Sequence, residues 1–159
     1  MRKSQISIME YVLLTFFIIV IILAFIFFLT WWQFSQMESE KMSKINNKAF
    51  ALMKIFLDMP MLTKENSMFD DSKLTSATSA LKCDDFKKIL GSGWFAKIRL
   101  FEGDEEIKCT WSNYPNCNYW EFCVREGRGV SYAVPVNIYR RMTETVLIGN
   151  LTVGVYYEG

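Results

Sequence analysis

Four cysteines, two pairs of adjacent aspartates and one glutamate at the mouth of a long apolar run are the residues of this chain with chemistry to offer. Histidine is absent from all 159 residues. That absence removes Ser-His-Asp and Cys-His catalysis, histidine-ligated zinc and most general acid–base schemes that work near neutrality. The paired carboxylates, Asp70 with Asp71 and Asp84 with Asp85, are of the type used in acid–base work. Each pair also stands just ahead of a helical pattern, where an aspartate accepts from the free N–H groups of the first turn. Capping is the reading adopted here, and no catalytic residue, enzyme activity or cofactor is expected.

Cys83, Cys109, Cys117 and Cys123 are even in number and all lie downstream of the apolar run. Their spacings match no zinc pattern and no histidine can complete a metal set, so no metal is expected. In an extracytoplasmic domain they favour two disulfides, which add stability to a small core. Four cysteines permit three pairings. The short loop 118–122 leans toward Cys117 with Cys123, leaving Cys83 with Cys109. Asn150-Leu151-Thr152 is a glycosylation acceptor pattern, placed within a predicted strand.

The elements that must position these groups begin with the apolar run itself, residues 11–32, YVLLTFFIIVIILAFIFFLTWW. As a helix it rises ~33 Å, enough to cross the hydrocarbon core of a bilayer. A cleaved secretory signal has a shorter apolar region and a small-residue cleavage site, whereas this run ends in Trp31-Trp32-Gln33. Trp31 and Trp32 suit the aromatic belt at a membrane interface. Arg2 and Lys3 precede the run and Glu38 and Glu40 follow it, so the positive-inside rule places the N-terminus in the cytoplasm and the remainder outside. Membrane lipid is thus one partner. With 18 basic and 17 acidic residues there is no electrostatic footprint for nucleic acid.

No proline or glycine interrupts the sequence from Ile6 to Pro60, and one continuous helix ending near Asp58 is expected, because Pro60 disfavours helix at the residue before it. Met42, Ile45, Ala49, Leu52 and Phe56 follow at steps of three and four and form one face. That face is read as packing on the chain's own globular domain. Beyond Pro60, two short helices follow the aspartate pairs, the second closed by Gly91. After Gly93 the period becomes alternating. Trp94, Ala96, Ile98 and Leu100 share one strand face, Gly103-Asp104 supplies a turn, and a second strand is expected over 105–111. Val130, Tyr132, Val134, Val136 and Ile138 mark a third strand. Leu147, Leu151, Val153, Val155 and Tyr157 mark a fourth, in 146–157. Pro135 cannot donate to a ladder and must face an edge or a bulge. The expected fold is α+β: a long N-terminal helix packed on a roughly four-stranded antiparallel sheet. Its parts are a cytoplasmic leader (1–5), a membrane half of the helix (6–32), an extracytoplasmic half (33–59) and a globular ectodomain (60–159).

The entry to the span carries the most specific signal. A short basic leader, a small residue, then Gln5-Ile6-Ser7 ahead of Glu10 and a long apolar helix resembles the class III signal of archaeal type IV pilin-like proteins. Glu10 stands one residue further from Gln5 than the family's usual spacing. The resemblance implies cleavage by a prepilin peptidase between Ser4 and Gln5. It also implies that Glu10 meets the new N-terminal amine of a neighbouring subunit, with copies of itself or other pilin-like subunits as partners. The expected function is a structural subunit of a surface filament. The alternative is a membrane-anchored binding or sensor domain that never polymerises.

Overall fold

The computed structural model describes residues 2–65, 67–102 and 105–157, with side chains from residue 9 onward. Two compact units are formed, Met1–Ser43 and Lys44–Gly159. The leader residues Ser4 and Gln5 fall outside the described side chains, and the turn expected at Gly103-Asp104 falls outside the described residues.

Helix α1, Arg2–Asp58, runs for 57 residues. It ends where Pro60 requires, and the chain then turns through Leu62 N–H and Thr63 N–H donated to the Met59 carbonyl at 2.9 and 3.1 Å. In the first unit its most apolar window has a mean hydropathy of 3.4 and none of it is buried. The polar interruptions are satisfied within the helix: Thr15 Oγ1 donates to Tyr11 O at 2.7 Å and Thr30 Oγ1 to Phe27 O at 2.9 Å. A helix this long and apolar, with its hydroxyls internally bonded, is compatible with a single-pass membrane anchor.

In the second unit the last four turns of α1 bury Ala49, Leu52, Met53 and Phe56. Four of the five residues of the predicted stripe, from Ile45 to Phe56, belong to the core or pack on it, and Met42 is exposed. The Phe56 ring meets Trp94 edge-on at 5.4 Å and Phe122 at 5.6 Å.

The chain continues through β1 (Thr63–Glu65), β2 (Met68–Asp70), α2 (Asp71–Ala80), α3 (Cys83–Leu90), β3 (Trp94–Leu100), β4 (Tyr119–Phe122), β5 (Gly129–Arg140) and β6 (Thr145–Tyr156). The sheet has six strands in the order β1-β2-β5-β6-β3-β4 and is mixed, β2 running parallel to β5. This corrects the four-stranded antiparallel expectation. Residues 105–111 form no strand and contribute only an isolated bridge, Lys108 to Tyr119. The partner of β3 on that side is the four-residue β4, too short to show a period. On its other side β3 pairs with β6, which separates it from β5, so the strands do not follow as a meander.

One face of the sheet is closed by apolar side chains in register. Trp94, Ala96, Ile98 and Leu100 are at most 2% exposed, opposite Val155, Val153, Leu151 and Gly149. Gly149 is required there, since a Cβ would stand 2.5 Å from the Arg99 carbonyl oxygen. Tyr157, expected on the apolar face of the last strand, lies beyond its end and is exposed. Tyr157 N–H donates to Arg128 O at 2.9 Å, which sets the phase of the β5–β6 ladder. Even-numbered β5 residues bond to β6, and odd-numbered ones, Pro135 included, turn their backbone away from it. Among the described residues β2 pairs with Ile138 and Tyr139 alone, and Pro135 lies on the stretch of β5 outside that pairing.

Candidate functional site

Glu10 lies on α1 just ahead of the apolar run and is exposed. The side chains around it along the helix, Met9, Tyr11, Leu13 and Leu14, are likewise exposed, at 57% or more. A carboxylate at this position is tolerable at the boundary of a bilayer and costs ~2.5–3.5 kcal/mol at its centre. Ser4 and Gln5, the expected processing residues, have no described side chains, and Glu10 is therefore the one residue of the leader pattern with a described environment.

The four aspartates divide into three roles. Asp70 caps α2: its Oδ1 accepts from Ser72 N–H at 2.9 Å, Lys73 N–H at 3.2 Å and the Ser72 hydroxyl at 2.6 Å. Asp85 accepts from Lys82 N–H at 3.3 Å at the start of α3. Asp84 is exposed and pairs with Lys87 at 2.9 Å, whose hydrogen bond holds its carboxyl below the usual range.

Asp71 does something the sequence does not announce. It is fully buried, and its Oδ1 accepts from the Tyr114 hydroxyl and from Arg141 N–H, both at 3.0 Å. Its Oδ2 stands 3.5 Å from Arg140 Nε, an ion-pair distance without hydrogen-bond geometry. Arg140 in turn donates from Nη1 to Cys117 O at 2.8 Å and from Nη2 to Pro115 O at 2.6 Å. One buried acid thus ties the first turn of α2, the end of β5 and the loop closed by Cys109 and Cys117. Burial, with the bond to Asp71, pushes the Tyr114 phenol up to about 12. The doubled aspartate does not mark this role in sequence, since Asp84 and Asp85 are doubled as well and stay at the surface.

The disulfides are Cys83–Cys123 and Cys109–Cys117. This overturns the lean toward Cys117 with Cys123. Cys123 follows β4, whose side chains alternate across the sheet, and it faces the start of α3; Cys117 faces back across its own loop to Cys109. Asn118 organises the approach to that loop, donating to the Glu102 and Glu105 carbonyls at 2.9 and 2.8 Å and accepting from Ile107 N–H at 2.8 Å. Beside it, Lys108 pairs with Glu121 and holds its carboxyl below the usual range. Burial pushes the Tyr119 phenol up.

Asn150 sits in β6, a central strand, opposite Pro135 on one side and Arg99 on the other, half-buried on the sheet face away from the helices. In the folded domain its backbone is fully committed to the ladder. The described residues thus include a long apolar helix with a carboxylate at its head, and a domain cross-tied by two disulfides and a buried ion pair. No protein-family model, no curated protein and no solved structure matches this chain.

Proposed function

We propose that this chain is a type IV pilin-like structural subunit of a surface filament, held in the membrane by α1 until assembly, with its N-terminus cytoplasmic and its globular domain outside. The observation that carries the reading is α1 itself. One uninterrupted helix has an apolar portion that no described residue buries and a later portion whose stripe is buried on a sheet. The uncovered portion needs either lipid or other helices around it. Exchange of lipid for the equivalent helices of neighbouring subunits satisfies the same side chains without refolding the domain.

In such a core Glu10 would be an unpaired charge among apolar side chains unless an amine stood beside it. A new N-terminus created by cleavage ahead of Gln5 supplies that amine, and the pair then selects one axial register between subunits. The leader resemblance supports this role, and Glu10 in its exposed place at the head of the run is available for it.

Two measurements test the proposal. Mass spectrometry of the protein from its native membrane should give a mature chain beginning at Gln5; a chain retaining Met1 favours the membrane-anchored domain that never polymerises. Glu10→Ala should leave membrane insertion intact and abolish incorporation into filaments. Normal assembly of that variant would remove the carboxylate from the mechanism.

A further inference from the structure

The two disulfides have different surroundings. Cys109 and Cys117 are 2% and 5% exposed and belong to the core, and Arg140 clamps the carbonyls of Pro115 and Cys117 over them. Cys83 and Cys123 are only partly buried, Cys123 packing against the edge of the core, and both line a surface pocket of about 220 Å³. We propose that Cys83–Cys123 is an exchangeable disulfide, opened by a dithiol reductant entering that pocket, and that it latches α3 to the sheet while Cys109–Cys117 is permanent.

Both cysteines line the pocket, and the start of α3 decides which sulfur leaves. Glu121, Phe122 and Val124 form its wall around Cys123, and Lys108 stands at the same wall paired with Glu121. Cys83 is the first residue of the eight-residue α3, where the helix N-terminus stabilises a departing thiolate. Asp84 and Asp85, the acids that would oppose that charge, are offset by Lys87 and Lys88. An incoming thiolate forms a bond to Cys123 Sγ, and the Cys83–Cys123 bond breaks with its electron pair leaving on Cys83 Sγ, which takes a proton from water. The second thiolate of the reagent then displaces Cys123. Two electrons pass to the protein, which gains two thiols, and the reagent departs as its own disulfide.

Opening matters because the other ties of α3 to the sheet are few and non-covalent. Phe86 is its one buried residue, resting edge-on against Phe122 at 5.4 Å and Trp94 at 6.3 Å. Cys123 also holds φ at +53°, a conformation an L residue keeps when its surroundings impose it. Release of the bond removes that constraint and leaves Phe86, the partly buried Leu90 and the bond from Trp94 Nε1 to Gly91 O at 2.8 Å to retain the helix.

The test uses the full chain in detergent micelles without denaturant. Graded dithiothreitol at pH 8 is quenched with iodoacetamide, labelled cysteines are read by peptide mass spectrometry, and trypsin probes Lys87 and Lys88 in each redox state. Cys83 and Cys123 should be labelled at least tenfold faster than Cys109 and Cys117, and cutting at Lys87 and Lys88 should rise by a similar factor once they are. Equal rates, prior opening of Cys109–Cys117, or opening of neither pair before circular dichroism reports unfolding would overturn the exchange. Fast labelling with no gain in cutting would overturn the latch.

Discussion

Replacement of Asp71 by Asn changes one atom at the centre of the buried network and keeps its volume. The amide oxygen can still accept from the Tyr114 hydroxyl and Arg141 N–H, both 3.0 Å away. The amide nitrogen then takes the place of Oδ2 and turns donors toward Arg140 Nε, 3.5 Å away. Removing one member of a buried pair typically costs about 3–5 kcal/mol, because the other charge is left uncompensated. Two features place Asp71→Asn near the lower end. The Arg140 side chain keeps 14% exposure, and it retains the carbonyls of Pro115 and Cys117 as acceptors. We expect a loss of about 3 kcal/mol, or roughly 10 °C in Tm for a domain of this size. Arg140→Met should cost more, about 4–5 kcal/mol, since it leaves a fully buried carboxylate with neutral donors alone and also frees two loop carbonyls. The double variant should cost less than the sum, by about 1–3 kcal/mol of coupling. Urea unfolding of the full chain in micelles, followed by the fluorescence of buried Trp94 and Trp120, measures all three. Single-variant losses below about 0.5 kcal/mol, or strict additivity in the double variant, would refute the claim that this pair ties the loop to α2 and β5.

The same network predicts alkaline sensitivity. The Tyr114 phenol is raised from 10.0 to about 12 in the fold, so the folded state holds a proton that the unfolded state has released between those values. Its contribution is fully present below pH 10 and is lost as pH rises through 12. Tyr114→Phe should flatten stability over that window, as read by Tm against pH. Phe56, fully buried between Trp94 and Phe122, should cost about 3–5 kcal/mol on change to Ala. The variant's denaturation midpoint should fall while its partition into membranes stays that of the parent chain, because the apolar window of α1 is untouched.

Local pattern sufficed for the elements marked by a repeat or a cap over neighbouring residues. The length of α1 follows from the lack of a breaker before Pro60. Its buried stripe follows from the spacing of Ile45, Ala49, Leu52 and Phe56, and the inward face of β3 from strict alternation. Capping by Asp70 and Asp85 needed only the residues within one turn. Where partners lie far apart along the chain, the sequence carried no comparable mark. The strand β4 is four residues long beside a proline-containing loop, and the placement of β6 between β5 and β3 depends on pairings across tens of residues.

The amino-acid sequence alone therefore determined an apolar helix able to span a bilayer, its continuation to Asp58, an α+β domain after it and a set of cysteines free to pair. Each is a matter of composition or of a period repeated over neighbouring residues. Tertiary structure decided that Cys83 meets Cys123 and that Cys109 meets Cys117. It also decided that Asp71, indistinguishable in sequence from a second cap, is buried against Arg140. The physical reason is common to both: a disulfide or an ion pair forms between whichever groups the packed core brings within a few ångströms. That proximity is a property of the sheet order and not of any segment.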